Sequence, residues 1–143
     1  MRLYNYELAS FIEFLIKLKL IDQKSRMRSR LVNMLREKFK LFQEEHYQLI
    51  KEYSNLDNNG EPKIIEVNGQ RQFDVHDIEA FNRAFQELQN EEVCIEQNQE
   101  NKKMLLSVKE SVLFCGLEFE GEEQFTYERY CDIVDQVIYV QEN

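Results

Sequence analysis

The stretch Asp22–Tyr53 contains neither Gly nor Pro. It is rich in Leu, Met, Arg, Lys, Glu and Gln, side chains that lose little on entering a helix. Leu31, Leu35, Phe39, Phe42, His46, Leu49, Ile50 and Tyr53 recur in steps of three and four. That spacing lays one apolar stripe along a single helix. Asp22 stands at the N-cap position, and the polar run Ser54–Gly60 supplies the stop. At 1.5 Å per residue the helix is about 45 Å long. One small core cannot cover that length, so the rest of the chain, or another copy of it, must pack along it.

A first helix precedes it, capped by Asn5 and running to about Leu18 or Lys19. Its main stripe is Tyr4, Leu8, Phe11, Ile12, Leu15 and Leu18, and Leu3, Phe14, Ile16 and Leu20 widen it almost all the way round. A helix this apolar is covered on more than one side. Two readings stay open: a central core helix, or an interface between copies of the chain. The short connection predicts an antiparallel helical hairpin over 1–55. The candidate interface residues are Phe11, Phe14, Leu15 and Ile16 on the first helix, and Leu31, Leu35, Phe39 and Phe42 on the second. Self-association through the 4–53 hairpin is therefore expected, as a homo-oligomer.

The 143 residues suggest a single domain, with a helical hairpin over 1–55 and an α+β part over 56–143. Hydrophobic residues make up 43% and aromatic residues 12% of the chain, enough for a core. One Pro and four Gly leave few turns for a sandwich or barrel. Cys94, Cys115 and Cys131 are an odd count without close pairing, which reads as reduced thiols inside a cell. The N-terminal residues lack the order of a signal peptide, and no transmembrane span is expected.

The net charge of −9 is unevenly spread. Residues 1–40 hold ten Lys and Arg against four Asp and Glu, a net +6, and residues 41–143 carry −15. A basic head on an acidic body can bind an anion such as nucleic acid, or pair with its own acidic half. Lys24, Arg26 and Arg30 are the candidate anion-binding residues. Arg26 and Arg30 share a helical face from which Arg28 diverges, and no stacking aromatics interleave with them. The segment thus favours solvation or self-pairing over nucleic acid.

Further along, Lys63–Val67 and Gln70–Phe73 flank Asn68-Gly69, the strongest short hairpin signal. A hairpin over 63–73 needs more to lie on, and the β-rich stretch near 92–96 is the candidate third strand of one small antiparallel sheet. Asp74 is placed to cap a helix over about 75–90, with Ile78, Phe81, Phe85 and Leu88 as its buried stripe. Leu105, Val108, Val112 and Cys115 fit another helix that Gly116 would end. A last helix opens near Gln124 or Thr126 and runs to about Ile138, with Tyr127, Tyr130, Cys131, Val134, Val137 and Ile138 inside. The tail Gln141–Asn143 is polar and expected to fray. The fold class is α+β and mainly α.

Asn55–Glu66 carries oxygen side chains at the first, third and fifth places, Gly at the sixth and Glu at the twelfth, as an EF-hand loop does. Asn replaces Asp at the first place, Pro62 takes the eighth, and no exit helix follows. A polar turn is the better reading. Two widely separated His and no Cys-x-x-Cys give no metal site. No Gly-rich phosphate cradle, nucleophile elbow or Cys–His pair is present. Cys94 and Cys131 read as small apolar core residues. Neither an enzyme nor a cofactor is expected.

Several phrases carry a resemblance: Leu3-Tyr4-Asn5-Tyr6-Glu7-Leu8, the run from Leu15 through Leu18-Lys19-Leu20 to Lys24-Ser25-Arg26, Tyr53-Ser54-Asn55-Leu56, Asp57-Asn58-Asn59-Gly60-Glu61-Pro62, and Glu91-Glu92-Val93 with Ile95. Together, over most of residues 1–95, they resemble a family of small proteins encoded by siphophages of Gram-positive bacteria and by their prophages. That family's function is unknown, and no functional residues carry over from it. Its genes tend to sit among late structural and tail genes. The resemblance implies a non-enzymatic factor in tail or virion morphogenesis, or a minor structural part, that contacts phage structural proteins in the host-cell cytoplasm or in the virion. The alternative is a nucleic-acid-binding or host-modulating phage protein using the basic 17–30 segment.

Overall fold

A computed structural model describes residues 1–140. Their order is β1 (Arg2–Tyr4), a single 3-10 turn (Asn5–Glu7), α1 (Leu8–Lys17), α2 (Asp22–Tyr53), β2 (Ile64–Val67), β3 (Gln70–Phe73), α3 (Ile78–Gln89), β4 (Glu92–Cys94), α4 (Lys102–Leu113) and α5 (Glu122–Asp135). The protein is α+β and mainly helical. The helical hairpin α1–α2 is present, and α2 fills the whole expected stretch. Asp22 itself opens α2 at φ +51, a left-handed conformation that Asp tolerates better than most residues.

Two compact units emerge, one of Met1–Phe39 with Glu92–Asn143 and one of Lys40–Glu91. The division falls inside α2 because its side chains serve two different sets of neighbours. The expected tail Gln141–Asn143 lies outside the described residues.

In the first unit, Phe11 and Leu15 of α1, Leu31 and Leu35 of α2, Val108 and Val112 of α4, and Ile133 and Val134 of α5 are buried in one core. Residues 2–4 are a strand rather than the approach to a helix. β1 pairs antiparallel with β4, Leu3 opposite Val93, and both side chains are buried. Met1 extends the ladder: Ile95 N–H donates to Met1 O at 2.8 Å, and the Met1 amino group donates to Ile95 O at 2.9 Å. The 92–94 strand therefore does not join the 63–73 hairpin, and the expected three-stranded sheet is two two-stranded sheets. The reason is burial: Val93 and Ile95 have a core to face beside Leu3, whereas β2 and β3 are mostly exposed along both strands. Cys94, on the other face of the same strand, is exposed and not a core residue.

A partly buried ion pair ties the 3-10 turn to α5. Glu7 accepts from Arg129 Nε at 2.7 Å and Nη2 at 3.0 Å, and from Tyr4 N–H at 2.9 Å. Burial alone would raise the Glu7 carboxyl. The Arg129 hydrogen bonds, the Tyr4 amide and the Arg129 charge more than offset it and hold the pKa below the ordinary 4.5. A carboxylate depressed in the folded state adds stability that is complete above its unfolded value and is lost as pH falls through the folded one.

In the second unit, Asn68 (φ +53) and Gly69 (φ +77) turn the β2–β3 hairpin. Both central residues have positive φ, as a type I′ turn requires. The end of α2 is knotted to the hairpin's base by main-chain bonds: Asn55 N–H to Asp74 O, Asp74 N–H to Lys63 O and Lys63 N–H to Asn55 O, at 2.8–2.9 Å. Asp74 is thus spent at the knot, its carboxylate accepting from Asn55 Nδ2 at 3.0 Å. The cap of α3 is Asp77 instead, which accepts from Ala80 N–H at 3.1 Å. This moves the helix start to Ile78, which is exposed rather than part of the buried stripe.

α2 and α3 meet through rings. Phe42 and Phe85 lie 6.3 Å apart, His46 stacks on Phe85 at 4.1 Å, and Tyr53 meets Phe81 edge-on at 6.3 Å. His46 is a stacking residue, as its place on the stripe indicated, and burial lowers its pKa from 6.5. The neutral ring is the packed form. The stability it adds is held above 6.5 and is lost as pH falls through the lowered folded value.

Two outcomes follow from these contacts. Glu7→Gln should cost about 1–2 kcal/mol at neutral pH, read by urea denaturation, and the gap to the wild type should close as pH falls below the ordinary carboxylate value of 4.5. Amide exchange in α3, corrected for intrinsic rates, should accelerate below pH 6.5 in the wild type. His46→Phe should remove that step while keeping the stack.

Candidate functional site

Most of the candidate interface residues are turned inward. Phe11, Leu15, Leu31 and Leu35 are fully buried within the first unit and cannot meet a second copy. Phe14 is covered by aromatic rings, at 4.7 Å from Tyr130, 6.0 Å from Tyr127 and 6.4 Å from Phe119. Phe39 packs against the same core, and Phe42 belongs to the ring stack with Phe85. Ile16 alone of the eight is open to solvent, at 46%. The buried members of the set serve the first unit's own core, where α4, α5 and the segment between them cover much of the apolar surface that the sequence of α1 leaves in excess.

The basic segment is largely engaged within the chain. Lys24 pairs with Glu110 at 3.4 Å. Arg28 donates to Leu15 O at 2.9 Å and to Leu18 O at 2.5 Å, closing carbonyls that the end of α1 leaves open. Arg26 and Arg30 are exposed, with no ion-pair partner among the described residues. The three candidate anion ligands do not converge.

The 55–66 segment is a polar turn. Asp57 Oδ1 accepts from Asn59 N–H at 2.8 Å and Glu61 N–H at 3.1 Å, and Gly60 sits at φ +77. Glu61 accepts from the Tyr47 hydroxyl. The carboxylates serve the turn's own donors. Among the described residues no group of three or more His, Cys, Asp or Glu could hold a metal ion, and no helix is long and apolar enough to cross a membrane.

What the structure brings together lies elsewhere. An open groove of about 450 Å³ runs between α1 and the start of α5. Phe14, Phe119 and Tyr127 line it, with Phe119 stacked on Tyr127 at 4.3 Å. Glu13, Glu122 and Glu123 stand on its rim. A second depression of about 280 Å³ adjoins it and shares Lys17 and Leu117; Lys19, Lys24 and Phe114 border this one. Phe114 is 80% exposed and Leu117 52% exposed. Phe125, on the first turn of α5, is 61% exposed. Large apolar side chains left this open usually mark a contact surface when they gather.

Tyr127 fixes the groove's wall. Its hydroxyl donates to Val112 O at 2.7 Å, near the end of α4, and Cys115 Sγ lies 3.7 Å away. Burial, then the hydrogen bonds with the Cys131 and Cys115 thiols, push the Tyr127 pKa well up. Burial also raises the Cys131 thiol. A raised thiol is protonated and a poor nucleophile, so Cys131 packs rather than reacts.

The sequence reading missed Phe114, Leu117, Phe119 and Phe125. The signal available was four large apolar residues between and beside Gly116 and Gly121, among Glu118, Glu120, Glu122 and Glu123, at a spacing that fits no single helix face. No family model matches the chain, and neither a curated protein nor a solved structure does.

The two arginine environments predict different costs. Arg28→Ala should lower stability by about 1–2 kcal/mol through the lost closure of α1, whereas Arg26→Ala and Arg30→Ala should stay within about 0.5 kcal/mol. Urea denaturation of the three variants measures the difference.

Proposed function

We propose that this is a non-enzymatic phage protein that works through protein–protein contacts in tail or virion morphogenesis, in the host-cell cytoplasm and in particles under assembly. The observation that carries the reading is the aromatic groove lined by Leu117, next to the depression that Phe114 borders, with both side chains left in water. Fully burying such a side chain is worth about 1.5–3 kcal/mol, so a partner covering this surface gains substantially. The groove's walls are aromatic rings, which suits docking better than bond-making. The phage setting rests on the resemblance of residues 1–95.

The nucleic-acid reading has less behind it. Of the basic segment, Lys24 and Arg28 are occupied by Glu110 and by the end of α1.

The test is mass spectrometry of purified virions and of stalled assembly intermediates, with and without Phe114→Asp. The protein is expected in particles or intermediates, and the variant should fold normally yet lower the yield of complete particles. Normal particle yield after deletion of the gene would sink the reading. So would tight, steeply salt-dependent DNA binding that Arg26→Ala and Arg30→Ala abolish.

A further inference from the structure

We infer that a second copy of this chain covers the Phe114–Leu117 surface as a two-fold pair, the Phe114 ring of each protomer entering the aromatic groove of the other. The inference rests on the contact-protein reading above and names the partner.

The surface is self-complementary in shape. It offers one projecting ring and one open groove side by side, joined through Leu117, which lines both depressions. Phe114 caps the end of α4 and has almost no cover from its own chain. The groove is roomy enough for an aromatic side chain, and its walls are already rings, which favour offset or edge-on packing with another. A knob beside a hole of the same character is what a two-fold interface requires, because each patch meets its counterpart reciprocally.

It is also self-complementary in charge. The groove side carries Glu122 and Glu123, exposed and without an ion-pair partner among the described residues. The Phe114 side carries Lys19, likewise unpaired, beside the Lys24–Glu110 pair, and Lys17, paired with Glu13, stands between the two sides. A two-fold axis near Leu117 lays the acidic rim of one protomer over the basic rim of the other, twice. A heterologous or translational stacking of the same surface would satisfy only one half of these charges. Rim pairs of this kind steer and orient association more than they hold it. The apolar centre holds it.

The test is sedimentation equilibrium of the full chain up to about 100 µM, where micromolar affinities are resolved. The wild type should be a dimer in this range. Phe114→Ser should weaken association by about tenfold or more with an unchanged circular dichroism spectrum, since the ring is exposed in the protomer. Lys19→Glu and Glu122→Lys should each weaken the dimer at low salt, and the two together on one chain should restore it. A wild type that stays monomeric overturns the inference, as does a Phe114→Ser protein that stays fully dimeric, or a double charge swap that rescues nothing. These outcomes are separable from the morphogenesis reading. A monomer whose Phe114→Asp variant still blocks particle assembly leaves that reading standing and assigns the groove to a different protein.

Discussion

Helix α1 carries apolar side chains on nearly every side, and ten residues of helix cannot hide them alone. Everything in the first unit is arranged around that need. β1 and β4 place Leu3 and Val93 beside it, the first half of α2 contributes Met27, Leu31, Val32 and Leu35, and α4 and α5 bring Val108, Val112, Ile133 and Val134. Phe14, which points away from the main stripe, is met by the rings of Tyr127 and Tyr130. The same rings form the wall of the groove. The groove exists because the chain between α4 and α5 must wrap far enough to cover the third side of α1 and has only eight residues, 114–121, in which to do so.

Burying so much of α1 leaves its polar main chain to be satisfied at the ends, and long side chains do this. Arg28 reaches back from α2 to the last carbonyls of α1. Tyr127 does the same for α4, and Lys109 closes Val137 O at 2.8 Å. Gln136 pairs with both the N–H and the C=O of Arg2, at 2.9 and 2.7 Å, and so stands in for a neighbouring strand along the free side of β1. Gln97 repeats the device with Gln136 O and Ile138 N–H, both at 2.9 Å. A chain with four Gly and one Pro has few tight caps of the usual kind. Side chains from distant elements take their place, and they fasten Arg2 and residues 136–138 in the process.

Local pattern was enough for the helices. The stop at Ser54, the Asn68-Gly69 hairpin and the stripe of α4 stand where the residues indicate, to within a few positions; α5 ends at Asp135, before the expected Ile138, which is exposed rather than part of an inner face, and Asn5 lies within the 3-10 turn rather than capping α1. What the pattern hid was partner choice. Leu3 fits a helix stripe as well as a strand, and only the presence of Val93 opposite it selects the strand. Asp74 and Asp77 are equally good caps by residue type. The hydrogen bond from Asn55, nineteen residues earlier, removes the first. Likewise the stripe Leu31-Leu35-Phe39-Phe42 is continuous in sequence, but Leu31, Leu35 and Phe39 meet a core and Phe42 meets Phe85. Periodicity reports that a face is covered and is silent about what covers it.

The two units answer the same demand for burial in different ways. The first has a packed aliphatic core and can leave Phe114 and Leu117 outside it without loss of support for α1. The second has few fully buried side chains, Leu88 among them, and holds together through half-buried stacked rings and the main-chain knot at Asn55, Lys63 and Asp74. Stacked rings and main-chain bonds fix geometry with modest burial, so this unit keeps its form while exposing Ile64, Val67 and Ile78. Apolar residues exposed singly call for no partner. A projecting ring beside an aromatic groove does, and the acidic residues crowded between Gly116 and Glu123 fit that difference. Four carboxylates in eight residues keep the segment hydrated while it is uncovered, and charges of this kind orient an association more than they hold it.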